Sequence, residues 1–110
     1  MTPKLRVWLV FSDGVRMGPG RAALLKAIDE LGSIRAAAER LQMSYRHVWG
    51  HLDTLERAAG RPLILRQRGR ETGGASLSPE GKALLVRYRE LDRRLRGAAA
   101  REFARLFPPA

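Results

Sequence analysis

His47 and His51 stand four positions apart, Tyr45 and Arg46 come just before them, and Ser44 heads the run. Two histidines at that spacing share a helix face and could ligate a metal, but no third ligand accompanies them and the chain has no cysteine. They read instead as surface residues near phosphates, and no metal is expected. Catalysis has as little to work with: the sequence holds no glycine-rich phosphate loop and no nucleophile motif, and Asp29, Glu30, Glu39, Asp53 and Glu56 fall mostly on helix surfaces. Neither an enzyme nor a cofactor is expected. What remains is the cluster Ser44, Tyr45, Arg46, His47 and Gly50 at the start of a helical pattern, the part of a recognition helix that meets base edges in DNA. Arg46 is the base-contact candidate, because a guanidinium pairs bidentately with guanine for about 1–3 kcal/mol of discrimination. Ser44 and Tyr45 suit phosphate, aided by the positive end of their helix. Trp49, one turn after Tyr45 on the border of the apolar stripe, reads as core.

The elements that must hold this cluster follow from caps and periodicity. Ser33 precedes Ile34, Ala37, Ala38 and Leu41 and is placed to cap a short helix, whose run of Ala36, Ala37 and Ala38 permits close approach of a neighbour. Gln42 and Met43 interrupt the pattern. Ser44 then caps a longer helix with Val48, Leu52, Leu55 and Ala59 on its buried stripe and Gly60 at its end. Two capped helices joined by a tight turn predict a helix-turn-helix, the alternative being a plain helical hairpin. Upstream, Lys4 to Phe11 reads as a strand with Leu5, Val7, Leu9 and Phe11 on one side. Ser12-Asp13-Gly14 turns it into Val15-Arg16-Met17, completing a hairpin packed by Trp8. A first helix is expected between Pro19 and Leu31, with Leu24, Leu25, Ile28 and Leu31 as its stripe.

Downstream, Leu63-Ile64-Leu65 and Ser76-Leu77 flank a polar, glycine-bearing stretch and predict a second hairpin, a wing carrying Arg66, Arg68 and Arg70. Wings touch phosphates or the minor groove; the alternative is an ordinary solvated loop. Ser78-Pro79-Glu80 opens a long helix, with Ser as cap, Pro in the first turn and Glu80 near the positive helix end. Along it Leu84, Tyr88, Leu91 and Leu95 form a seam, continued by Ala98, with Gly97 as a point of kinking or fraying. That seam exceeds what a small body can cover, so a homodimer is expected through it.

The size of 110 residues allows one core. The formal net charge of +10, from 21 Lys and Arg against 11 Asp and Glu, favours a polyanionic partner such as double-stranded DNA. Val7 to Phe11 is too short to span a membrane and lacks a signal-peptide cleavage site, so a cytoplasmic protein without membrane contact is expected.

In this order of elements the sequence resembles the N-terminal DNA-binding domain of the ModE family of molybdate-responsive regulators. The residues carrying the resemblance are Gly18-Pro19-Gly20-Arg21, Gly32-Ser33-Ile34 with Ala36-Ala37-Ala38, Met43-Ser44-Tyr45-Arg46 with Trp49, and Thr72-Gly73-Gly74-Ala75 before Leu77-Ser78. Leu52-Asp53-Thr54-Leu55-Glu56 after an alanine-rich helix is similar to the broader LysR-type pattern. The resemblance implies a dimeric winged-helix transcription factor whose recognition helix opens at Ser44, Tyr45 and Arg46. The chain stops after the long helix, without the family's oxyanion-binding module, so no molybdate is expected.

The expected fold is thus mainly α with small β-hairpins: a winged helix-turn-helix with its N-terminal hairpin over residues 1–78 and a C-terminal dimerisation helix over 79–110. The expected recognition helix is about 44–59 and the wing about 63–77. The expected DNA contacts are Ser33, Ser44, Tyr45, Arg46, His47, Gly50, Arg66, Arg68 and Arg70, and the expected dimer interface is Leu84, Tyr88, Leu91 and Leu95. A sequence-specific regulator leads; a nucleoid-type binder without sequence preference, or a protein-interaction adaptor that keeps the fold, is the alternative.

Overall fold

The computed structural model describes residues 1–66 and 74–110. Strands β1 (Leu9–Val10) and β2 (Arg16–Met17) form a hairpin, followed by helices α1 (Pro19–Leu31), α2 (Ile34–Arg40) and α3 (Tyr45–Ala59). A second hairpin, β3 (Ile64–Arg66) with β4 (Ala75–Leu77), leads into α4 (Pro79–Leu106). Both hairpins are antiparallel, with Leu9 opposite Met17 in the first and Ile64, Leu65 and Arg66 opposite Leu77, Ser76 and Ala75 in the second.

The expected strand from Lys4 to Phe11 shrinks to Leu9–Val10. Its partner explains this, because β2 ends at Met17 and Gly18 already caps α1, leaving residues 4–8 nothing to pair with. The alternation survives without the ladder: Val7 is buried and Leu5, Leu9 and Phe11 pack against the core, while Trp8 and Val10 face outward. Trp8 lies across Gly18, where any Cβ would overlap the indole ring.

The helix signals act where their chemistry places them. Ser33, Ser44 and Ser78 each accept a hydrogen bond from the amide three residues on, at 3.1, 3.0 and 3.0 Å. Gly32 and Gly60 end α1 and α3 at φ of 67° and 70°, the left-handed conformation that glycine adopts without strain. Between α2 and α3, Gln42 takes φ of 56° and the Met43 amide reaches back to the Ala38 carbonyl at 2.9 Å. That compact reversal sets α3 against α2.

The core lies where α1, α2, α3, the wing root and the start of α4 meet; Met17, Leu25, Ile28, Val48, Leu52, Leu55 and Leu63 are fully buried. Each such side chain contributes about 1.5–3 kcal/mol by leaving water. The Leu63 peptide is the junction of three elements. Its amide donates to Glu56 Oε2 of α3 at 2.7 Å, joined by the Ile64 amide at 3.2 Å, while its carbonyl accepts from the Ser78 amide at 2.8 Å. Ser78 Oγ also donates to the Pro62 carbonyl at 2.8 Å. Glu56, read from sequence as a surface carboxylate, is therefore half-buried and fastens the wing to α3. Glu56→Ala strands two amides at the wing root and should cost about 1–3 kcal/mol in chemical denaturation, whereas Glu56→Gln should lose less. Equal stability of the alanine variant and the parent would deny the carboxylate this role.

Helix α4 runs through Gly97 to Leu106. Gly81, Leu85 and Tyr88 are buried against the chain's own body, and Leu84 packs against the same core. This corrects the seam at Tyr88, which is only 4% exposed and whose hydroxyl donates to the Val7 carbonyl at 2.7 Å. Burial, then the nearby Asp92 charge, raises the pKa of that phenol, so it stays a proton donor. Beyond Tyr88 the helix still lines a groove with Pro19, Ala22 and Ala23 through Asp92 and Arg96, and the described chain reaches 62 Å in its longest dimension against 29 and 22 Å in the others. Leu91 and Leu95, at 38% and 39% exposure, face outward on this stretch.

Candidate nucleic-acid interface

Helix α3 offers water the face that recognition would need. Val48, Leu52 and Leu55 are buried beneath it, whereas Ser44, Tyr45, Arg46, His47 and Gly50 are exposed. Ser44 Oγ is occupied as an acceptor by the His47 amide, which leaves its hydroxyl proton free to donate. Ser33 stands in the same position on α2, accepting from the Ala36 amide, so its hydroxyl too can donate outward. No side chain partners Arg46 among the described residues.

The two histidines diverge. Their rings stack at 4.9 Å between centroids, but His47 is exposed and His51 is half-buried. Arg21 Nε donates to His51 Nδ1 at 3.2 Å, which requires the unprotonated nitrogen there. Burial first, then the charges of Arg21 and His47, lowers the pKa of His51 and keeps it neutral. Its place is the packing of α1 on α3. No group of three or more His, Cys, Asp or Glu residues suited to a metal occurs among the described residues.

The wing joins the helix-turn-helix at two points. The Glu56 clamp holds β3, and on the other strand the Ala75 amide donates to the Gly32 carbonyl at 2.9 Å, beside a β-bridge between Ser33 and Gly74. The α1–α2 turn thus acts as a docking edge for β4. No local pattern announces that pairing. Arg66 is exposed at the end of β3 and lies over the Trp49 ring at 3.8 Å from its centroid. Arg68 and Arg70 fall outside the described residues. Trp49 is half-buried, on the border its spacing predicted, but its ring has an arginine on it as well as the core beside it.

Both the helix-turn-helix and α4 carry paired and unpaired arginines. On α4, Arg93 and Arg94 pair with Glu90, whose carboxyl they hold down at about 2, and Arg96 and Arg105 pair with Asp92 and Glu102. One carboxylate serves both Arg93 and Arg94, and Arg87, Arg89 and Arg101 of the same helix have no carboxylate partner among the described residues. On the helix-turn-helix and wing, Arg35, Arg46 and Arg66 have no carboxylate partner among the described residues. Those three guanidiniums are available to an anionic partner at this face.

Comparison with known proteins agrees with the geometry. The sequence profile of the bacterial regulatory helix-turn-helix proteins of the lysR family matches residues 21–82, which holds all but the first two residues of α1, then α2, α3, the wing and the first turn of α4. The molybdenum transport protein ModE of Azotobacter vinelandii is 35% identical over 94 residues, covering 84% of this chain and 35% of that protein. The transcriptional regulator ModE of Haemophilus influenzae is 38% identical over 76 residues, covering 68% of this chain and 30% of that protein. The molybdenum-pterin-binding protein MopB of Rhodobacter capsulatus is 38% identical over 76 residues, covering 68% and 28%. The chain thus spans about a third of the length of the relatives it matches. The fold is shared with the crystal structure of a LysR family transcriptional regulator, at a TM-score of 0.56 and 19% identity over 81% of this chain and 29% of that one. No described helix is long and apolar enough to cross a membrane. A capped helix pair, a docked wing and a profile match over more than half its length place this chain in the lysR family of bacterial regulatory helix-turn-helix proteins.

Proposed function

We propose that the chain is a sequence-specific DNA-binding regulator of transcription, acting in the cytoplasm as a homodimer, with α3 in the major groove and the wing on the sugar-phosphate backbone. The observation that carries the reading is the capped α3, which buries its apolar stripe and exposes Ser44, Tyr45, Arg46, His47 and Gly50 together at its N-terminal end. Arg46 reads a base edge, while Ser33, Ser44, Tyr45 and the wing arginines fix the register on phosphates. Leu91 and Leu95, exposed on α4, form the contact between copies. No catalytic step belongs to this reading. The molybdenum in the relatives' names belongs to those proteins, and the proposal for the present residues is DNA binding without a molybdate ligand.

Selection of bound sequences from random duplexes tests it. A regulator enriches a two-fold symmetric motif, whereas a nucleoid-type binder enriches none and an adaptor retains no duplex at low salt. On the enriched site, Arg46→Ala should weaken binding about 5- to 150-fold, the equivalent of about 1–3 kcal/mol, and affect random DNA far less. Equal losses on both would make Arg46 a phosphate contact.

A further inference from the structure

Four side chains from three elements form one continuous stack along the flank of α3. Arg35 of α2 lies over the Tyr45 ring at 4.5 Å from its centroid, and Tyr45 meets Trp49 edge-on with centroids 6.2 Å apart and planes at 81°. Arg66 of β3 lies over Trp49 at 3.8 Å. We propose that Arg35 and Arg66 form a two-point clamp for the backbone phosphates of duplex DNA, with Tyr45 and Trp49 as the positioning residues that hold the two guanidiniums ready. The proposal rests on the DNA-binding reading above and adds Arg35, which neither the helical spacing nor the wing pattern singled out.

Three observations support it. A guanidinium stacked on a ring spends its face there and keeps its N–H groups, which lie in its plane, for an anion at its edge. Both arginines are exposed, and neither has a carboxylate partner among the described residues, unlike Arg40 and Arg57, which pair with Glu30 and Asp53. The stack also brackets the exposed start of α3: Arg35 comes from the helix before the turn and Arg66 from the wing, and phosphates on either side of a groove would meet them there. An unsupported arginine loses rotamer freedom when it grips a phosphate, whereas the rings have already imposed that order.

Duplex affinity measured against salt concentration, by fluorescence anisotropy, separates positioning from plain structural support. Each phosphate contact contributes about 0.9 to the slope of log affinity on log salt. Arg35→Ala and Arg66→Ala should each flatten the slope by about that amount and weaken all sequences alike. Trp49→Leu should lose the same slope as Arg66→Ala, the double variant should lose no more than either single one, and Trp49→Phe, which keeps an aromatic face, should restore it. Thermal melts identify a variant that has unfolded; if Trp49→Leu does, the exposed arginine variants decide. Parental slopes in both arginine variants would overturn the clamp, and a full slope in a folded Trp49→Leu would overturn the positioning role. A parent that binds no duplex at low salt would instead remove the DNA-binding reading itself.

Discussion

Replacing Gly81 by alanine should lower the thermal midpoint by about 10–20 °C, although alanine is the better helix former. Gly81 lies in the first turn of α4, buried against the Leu63 peptide. A Cβ there would overlap the Leu63 carbonyl oxygen and lie 3.2 Å from its carbon. Helix propensity favours alanine by about 1 kcal/mol. The overlap is with backbone that the Ser78 amide and Glu56 already hold, so it cannot be relieved by turning a side chain. Overpacking of this kind costs about 1–3 kcal/mol, and more where backbone must move, which leaves a net loss of about 2–3 kcal/mol. In a domain of this size each kcal/mol shifts the midpoint by roughly 4–8 °C. Gly20→Ala is the control, since a Cβ at that helical position meets nothing within 4 Å. It should be neutral or slightly stabilising. Equal melts for the two variants would show that α4 can shift off the wing root at no cost.

The contrast between these glycines marks how far local pattern reaches. Capping, periodicity and turn chemistry depend on residues within a few positions of one another, so the bounds of α1, the turn before α3, the wing and the start of α4 were legible from Ser33, Ser44, Gly60 and Ser78-Pro79. The length of the first strand was not, because a strand needs a partner and Met17 ends the partner. Nor was the place of Tyr88. It falls on the same helical stripe as Leu91, and nothing in that spacing says that its hydroxyl will find the Val7 carbonyl, 81 residues away in the chain. Glu56 on its helix looked like any surface carboxylate until the wing root folded over it. The residue types of the candidate interface could be read from the sequence, but the stacking of Arg35 and Arg66 on Tyr45 and Trp49 is a tertiary fact.

Replacing Leu91 and Leu95 together by glutamate should convert the proposed dimer to monomer and weaken operator binding by about two to four orders of magnitude. Tyr88 and Leu85 are buried against their own chain, so they are not available to hold two copies together. That task passes to the part of α4 beyond them, where Leu91 and Leu95 lie one turn apart at 38% and 39% exposure. On a helix rising about 1.5 Å per residue they share one face, which a second copy related by a two-fold axis can cover. Two carboxylates per chain in that contact would each cost several kcal/mol if left buried and unpaired, so separation is the cheaper outcome. Because both side chains are exposed on the single chain, the substitution should leave the monomer's melting temperature near that of a charge-matched variant elsewhere on α4, such as Arg87→Gln with Arg101→Gln. The effect on DNA follows from geometry. A dimer presents two recognition helices about 34 Å apart, or a multiple of it, to the halves of a pseudo-palindrome, and the second half-site is then engaged at the high effective concentration set by the first. A monomer has only one. Sedimentation of parent and variant reads the first effect: the parent should run at twice the 12.3 kDa chain mass at tens of micromolar and the variant at that mass itself. A parent already monomeric there, or a double variant still dimeric, would show that these leucines do not hold two copies together.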